Sequence, residues 1–499
     1  MNLTLAICSI QEEKEDALIC VSATHVSLIC TQKRWRRKEV KKIMKKKLLA
    51  LIMTACMVTT MFTACGKADS SAASETEGQN TAESNTDEGN TESGEKETIE
   101  FWDMIWGSDA DAYEATVREI CEQVGEEIGA NVEVRFLPWD NFTQVYLTAV
   151  ASGTAPDVGT TGTTLPSQVH MMGGTMNLNS ILEDWKAENN PILEAIPQAA
   201  FDVQTFDGEL VAMPFDIQPE CITYNEAIFK ECGITEEPTT FDEFLDVCRT
   251  IKEKRPDIIP FVAAGDHEVH TLFTYFCMLN GTNVVTEDLK PNVSSPEVLH
   301  VCEFLKTMYD EGLIAESAAS MTSGERDSTY VSGNAAMIFR HNLDSSVATI
   351  NKEVWDNSRV MGLLKGPDTD TPVSMTYFEP ILAFNNDHPE LTKAFIKSYM
   401  EHYKQIYVTG SRGTLPTRSD WYSDEVFNTP IYNDLTEKCL PSMQFPTWPV
   451  KGYYSAYNQV EGELLLQSIT QEILMGNDDL EGLAKQTDEK IQKALDEAK

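Results

Sequence analysis

The chain has 499 residues, with 39 Lys and Arg against 79 Asp and Glu, for a formal charge of −40. Such an excess of acid repels phosphate at long range and argues against nucleic acid or an anionic membrane surface as a partner. The length suffices for two large domains or one duplicated architecture.

Residues 1–43 show neither helical nor strand periodicity of useful length and stand in front of a complete export signal. Translation is expected to begin at Met44, since Lys38-Glu39-Val40 can be encoded as a ribosome-binding sequence. Residues 44–64 combine a basic start at Lys45-Lys46-Lys47, an uncharged Leu48 to Met61 too short for an ordinary membrane span, and small residues at Thr63 and Ala64. Those are the three parts of a secretory signal peptide. Cys65 follows at once, and the arrangement resembles a bacterial lipobox, whose cysteine is lipid-modified and becomes the mature N-terminus. Phe62 departs from the usual aliphatic residue there. From Gly66 to Thr98 there is no aromatic residue and no Val, Ile or Leu. Such a segment buries too little to offset chain entropy, so residues 65–98 are expected to be a lipidated cysteine on a disordered acidic tether. Two or more acyl chains on Cys65 give stable anchoring, one gives marginal anchoring. From Cys65 onward 28 basic side chains face 74 acidic ones, a formal −46, which fits an exported surface protein.

At Ile99 the composition changes to "IEFWDMIWG", an apolar strand running into an aromatic loop. A helix is predicted over 110–128, with Ala115, Ile120 and Val124 at helical spacing, followed by the alternating strand "NVEVRFL". "PWDNFTQVYLTAVASG" predicts a helix ended by Gly153, and "APDVGTTG" a short strand leading into a glycine-bearing loop. Alternation of strand and helix favours an α/β sheet with ligand loops at its carboxyl edge. "PTTFDEFLDVCRTIKEK", "LTKAFIKSYMEHY" and "LLLQSITQEILMG" predict further amphipathic helices. Seven cysteines follow Cys65, none in a CxxC pair; an odd number argues against a zinc ribbon or a fully paired disulfide framework, and most read as small core residues. There is no P-loop and no short repeat.

The stretches "IEFWDMIWG", "SGTAPDV", "FDGELVAMPFD", "CITYNEAIFKECGI" with "PTTFDEFLDVCRTIK", "VSGNAAMIF", "SRGTLPTRSD" and "HPELTKAFIKSYM" run in order from Ile99 to near the C-terminus. In that order they resemble the family 1 extracellular solute-binding proteins, the carbohydrate-binding lipoproteins of ABC importers related to maltose-binding protein. The resemblance implies an α/β, two-lobed periplasmic-binding-protein fold of type II, its lobes joined by a hinge that the chain crosses three times. Carried onto this sequence, the crossings fall near Phe215 to Glu220, Glu379 to Phe384, and Tyr422 to Leu435. One lobe is then 99–217 plus 380–422 and the other 218–379 plus 423–499. It also implies a small-molecule carbohydrate ligand, neutral or acidic, captured by lobe closure and passed to the transmembrane subunits of an ABC permease. The protein is expected to be a monomer at the extracellular face of the cytoplasmic membrane, tethered through Cys65, with no cofactor, metal or catalytic residue.

Sugars present apolar faces and hydroxyl rims, so a site needs aromatic plates and fixed polar groups at their edges. Trp102, Asp103 and Trp106 occupy the first strand-to-helix loop, a cleft-facing place in the family; alternatively Trp102 packs beneath the sheet edge. Trp139 and Asp140 are further candidates, with Asp140 equally suited to capping the next helix. Thr163, within Thr161 to Thr164, lies at a helix start where free N–H groups meet oxygen. Asp216 and Gln218 lie on the first crossing, reaching into the cleft or bonding within the hinge. Asp157, Tyr224 and Asn225 match the family as architecture. Trp448 precedes the last long helix, where the family often places an aromatic plate, with Tyr453 nearby. Tyr377 and Glu379 stand at the second crossing, where many members carry small glycine-rich residues. Arg340, His341 and Asn342 replace the usual glycine and aromatic after "AAMIF". An arginine there suits a carboxylate or phosphate, leaving room for an acidic sugar, or else pairs with a carboxylate of its own chain. His270 is a candidate ligand contact in the C-terminal lobe.

Two other classes compete. A secreted glycoside hydrolase needs two carboxylates at a set separation, and in so acidic a chain apparent pairs carry no information. No GxSxG occurs, and "DHEVH" is not the HExxH of zinc proteases. A surface sensor that binds sugar without feeding a transporter has the same sequence signature.

Overall fold

The computed structural model describes residues 96–106, 110–139, 141–266, 268–341, 343–410, 412–462 and 465–498. The export signal, Cys65 and the tether as far as residue 95 lie outside the described residues, as do Asp140, His267 and Asn342. The strands are β1 (Thr98–Met104), β2 (Asn131–Leu137), β3 (Val158–Thr160), β4 (Thr205–Phe206), β5 (Glu209–Leu210), β6 (Ala212–Asn225), β7 (Ile259–Val262), β8 (Ala335–His341), β9 (Ser358–Val360), β10 (Ser374–Ala383), β11 (Leu415–Pro416) and β12 (Met443–Gln444). Apart from the β4–β5 hairpin they join one sheet ordered β2-β1-β3-β10-β6-β8-β7, with β9 and β11 on β6 and β12 on β10.

Helices cover both faces of the first part of this sheet because β1 alternates. Phe101 points to one side, where its ring meets Phe395 at 5.3 Å and Tyr399 at 5.5 Å on the helix Pro389–His402. Trp102 points to the other and meets Tyr146 of the helix Phe142–Ser152 at 5.4 Å. The helix Ala110–Ile128 buries Tyr113, Val117, Ile120, Cys121 and Val124, a stripe at helical spacing. The helix Phe142–Ser152 ends on Gly153, whose φ of 70° lets its N–H close on the carbonyls of Ala149 and Val150. It begins at Phe142, with Asn141 in the N-cap position. Thr240 caps the helix Phe241–Lys254 by accepting from the Glu243 N–H at 3.2 Å. All seven cysteines after Cys65 are free and buried. No helix among the described residues is long and apolar enough to cross a membrane.

What positions the site is β6. All fourteen of its residues are buried. Its first part, Ala212 to Pro219, pairs antiparallel with β10, while Glu220 to Tyr224 pairs with β8 and Thr223 to Asn225 with β9. β10 in turn reaches β3 through Ile381 to Ala383. Both long strands therefore tie the β2-β1-β3 side of the sheet to the β8-β7 side. The pairing shifts register between Glu379 and Pro380, where Pro380 faces Pro214. Neither proline has an N–H to donate, so the ladder is thinnest at that point. A third link runs through β11, which pairs with Asp216 and Ile217. Beyond it Asp434 takes two bonds of 2.7 Å from Arg359 of β9.

Candidate ligand-binding cleft

Side chains two apart on a strand share a face, so Asp216, Gln218 and Glu220 form a row on β6. Directly across the ladder stand Glu379 opposite Asp216, Tyr377 opposite Gln218, and His341 of β8 opposite Glu220. A polar seam thus runs along strands that are otherwise core.

At its first end Asp216 is completely buried and accepts hydrogen bonds from Thr414 at 2.6 Å, from Tyr407 and from Arg412. Burial raises its pKa, opposed chiefly by the Arg412 charge. The Arg412 guanidinium also lies over the Trp106 ring, 3.9 Å from its centroid. Trp106 meets Trp139 edge-on at 4.5 Å and Phe215 at 6.3 Å. Trp139 is fixed in turn by its Nε1 donating to the Ile105 carbonyl at 2.9 Å. Three buried polar atoms here find no partner among the described residues: Trp106 Nε1, Arg412 Nε and Glu379 Oε2. Burial, then the neighbouring Asp216, pushes Glu379 up to about 8. Thr163, whose hydroxyl donates to the Phe378 carbonyl at 3.2 Å, closes this end.

At the second end Glu461, on the helix Tyr457–Gly462, accepts from the Tyr377 hydroxyl at 3.0 Å and lies 3.2 Å from His270 Nε2. Burial, then Glu268, pushes Glu220 up to about 8. Burial of the ring, then the guanidiniums of Arg340 and Arg326, hold His341 well below its ordinary value. Nearby in the chain, Asn458 Nδ2 donates to Ser167 Oγ at 3.0 Å, and Phe206 of β4 meets Tyr453 edge-on at 5.8 Å.

A seam of buried donors and acceptors beside aromatic rings, with a cavity at its second end lined by His270, Asn283, Tyr377, Tyr454, Tyr457 and Glu461, has the chemistry to hold a polar small molecule. Residues 119–433 match the model of a family described as bacterial extracellular solute-binding protein. The chain belongs to this family. Over 384 residues, 75% of this chain and 83% of the relative, it is 23% identical to the diacetylchitobiose binding protein DasA of Streptomyces coelicolor. It is 23% identical to lipoprotein LipO of Bacillus subtilis over 48% of this chain and 51% of that relative. Among solved structures it resembles a sugar transporter from Arthrobacter chlorophenolicus A6 with bound laminaribiose, at a TM-score of 0.69 and 20% identity, covering 79% of this chain and 99% of that one. The fold is accordingly the two-lobed one that the sequence resemblance implied.

In this solute-binding protein Trp106, Thr163, Asp216, Gln218, Tyr377, Glu379, His270 and His341 gather along the hinge seam. Others do not. Trp102 belongs to β1: its Nε1 donates to Glu100 at 2.6 Å, Arg135 stacks on its ring and Tyr146 packs against it, so it is buried between the sheet and the helix Phe142–Ser152, the alternative its sequence left open. Asp103 is sealed beneath the helix Ala110–Ile128, bonded to Tyr113 at 2.9 Å and to Thr160, with burial pushing it up to about 7. Arg340 is already spent, donating to Asp327 at 2.6 Å and to the His341 carbonyl at 3.0 Å, so it is not the open guanidinium that suggested an acidic ligand. Trp448 is half-buried against the core beside Asn283, which donates to its carbonyl. Tyr453 bonds Asn458 and meets Phe206. Asp140 lies outside the described residues. Arg412, Glu220 and Glu461 were not singled out from the sequence. Glu220 was available from its spacing of two from Gln218, and Arg412 stood inside "SRGTLPTRSD" as a cation entering a buried crossing, where it must meet a carboxylate.

Proposed function

We propose that this protein is the lipid-anchored substrate-binding component of an ABC importer, capturing a carbohydrate between its lobes and delivering it to the permease. The observation that carries the reading is the trio of buried, partnerless polar atoms, Trp106 Nε1, Arg412 Nε and Glu379 Oε2, grouped where the hinge strands meet. Buried polar groups normally have partners, and a hydroxyl-rich ligand supplies both donors and acceptors. The relatives named for sugars support this ligand class, and the lipoprotein relative supports the anchor at Cys65. The lobes are 99–217 plus 380–422 and 218–379 plus 423–499, and they close because the ligand touches both. The protein acts as a monomer and breaks no bond of its ligand.

Titration calorimetry of residues 99–499 against neutral and acidic mono- and oligosaccharides, with small-angle scattering of each mixture, tests the reading. Saturable heat with a shrinking radius of gyration is expected. Turnover of any sugar, or an unchanged profile with no heat across the panel, overturns it.

A further inference from the structure

We infer that the cleft is built for an uncharged, hydroxyl-bearing ligand, and that Glu379 sets this selectivity by both accepting from and donating to a ligand hydroxyl. The inference rests on the carbohydrate reading and narrows it to one charge class.

The argument starts from where charge is already committed. Arg412, the cation beside Glu379, gives one Nη to Asp216 and covers the Trp106 ring with its face. Its Nε stays without a partner, but its charge is already balanced by the buried Asp216 carboxyl, so it does not call for a second anion. Arg340 is tied to Asp327, and Arg326 lies between Asp327 and Glu268. Each of these guanidiniums therefore already has a carboxylate of its own chain as partner. Carboxyls, by contrast, are close together: Asp216 lies directly across the ladder from Glu379, and both Asp216 and Glu461 act on it electrostatically. A ligand carboxylate brought to Glu379 would enter a desolvated place where a negative charge is penalised by burial and by its neighbours.

Glu379 itself shows that penalty. Its Oε2 is buried without a partner, and the same surroundings push its pKa up to about 8. At pH 7 it is therefore mainly an intact carboxylic acid, and its partnerless Oε2, when it carries the proton, can donate its O–H and accept on a lone pair. An ammonium group would be served by an ionised Glu379, and Arg412 at the same spot opposes it. Trp106 Nε1 and Arg412 Nε, both donors, ask for acceptor oxygens on the same ligand.

The test uses matched sets that differ in one group. Glucose, glucuronic acid and glucosamine, the three galactose counterparts, and disaccharides of each are titrated at pH 7 into the wild type and Glu379→Gln. The wild type is expected to bind the uncharged member at least about tenfold tighter than both charged ones. Glu379→Gln, which keeps a donor and an acceptor but loses the acid O–H, is expected to weaken the uncharged member by about three- to fivefold and to bind neither charged member tighter than wild type does. Equal or tighter binding of a charged member by the wild type overturns the inference and leaves the carbohydrate reading standing. So does a loss above about tenfold for the uncharged member in a folded Glu379→Gln protein. If that variant does not fold, the wild-type ratios decide. Absence of binding by every member overturns the carbohydrate reading itself.

Discussion

Arg412 is one residue on which two tasks meet: it neutralises Asp216 and it roofs Trp106. Truncating one partner of a buried pair leaves the other charge without compensation, so Arg412→Ala is expected to lower unfolding stability by about 3 kcal/mol or more. Chemical denaturation checks this, and Arg412→Met with Asp216→Asn should recover most of the loss. Trp106 calls for a gentler change. It is only 5% exposed and lies among Trp139, Phe215 and Arg412, so alanine would empty part of the core and confuse stability with binding. Trp106→Phe keeps a ring and removes Nε1, and ligand affinity should fall about fivefold, on the order of 1 kcal/mol, while the melting temperature moves little. At this scale the sequence was informative where residue type and chain position agreed: a tryptophan just past a strand, carboxyls on a crossing. It misled where one residue type has two physical fates. Trp102 and Trp106 look alike in "FWDMIW", yet β1 continues through Met104, and the strand fixes Trp102 under the helix Phe142–Ser152 while Trp106 lies beyond it. Arg340 looked available because its partner, Asp327, lies thirteen residues away on another element.

Among elements, the helices were legible because their apolar spacing is local, and Ala110–Ile128 came out with the bounds predicted. β6 was only partly so. The expected crossing ran from Phe215 to Glu220, six residues, whereas pairing with four other strands carries the strand unbroken from Ala212 to Asn225. That continuity buries Glu220 on β6, with Glu379 beside it on β10, and it makes a pH prediction. Both folded pKa values, about 8, lie above the unfolded value of about 4.3. In that window the native state holds protons that the unfolded chain has lost, so stability is greatest below the unfolded pKa and falls as pH rises towards 8. His341 acts oppositely: with a lowered folded pKa, it costs stability as pH drops below about 6.5. Between pH 6.5 and 8.5 the carboxyls act alone of these three. The melting temperature is expected to fall over that interval, each carboxyl contributing on the order of 1–2 kcal/mol. Glu379→Gln and Glu220→Gln should each flatten the slope; a wild-type slope unchanged in both variants would show that other groups titrate there.

At the scale of the whole molecule, affinity depends on how readily two halves come together as well as on what the ligand touches. Away from the orphan trio stand the Asn458–Ser167 hydrogen bond and the Phe206–Tyr453 ring contact, each of which would join the two lobes as proposed above. Neither Asn458 nor Ser167 belongs to the orphan trio at the floor, so weakening their bond should alter closure without removing a floor contact. Asn458→Ala and Ser167→Ala are each expected to weaken ligand binding about three- to fivefold, as for one hydrogen bond of about 0.5–1 kcal/mol. Because closing contacts form after the ligand has entered, the change should appear in the dissociation rate, with association nearly unchanged. The double variant should be no worse than Asn458→Ala, which already removes this bond together with the one from Tyr453. Stopped-flow binding with the tightest sugar measures all four proteins. Additive losses in the double variant would mean that the two side chains act separately, and that the halves are not latched at this point.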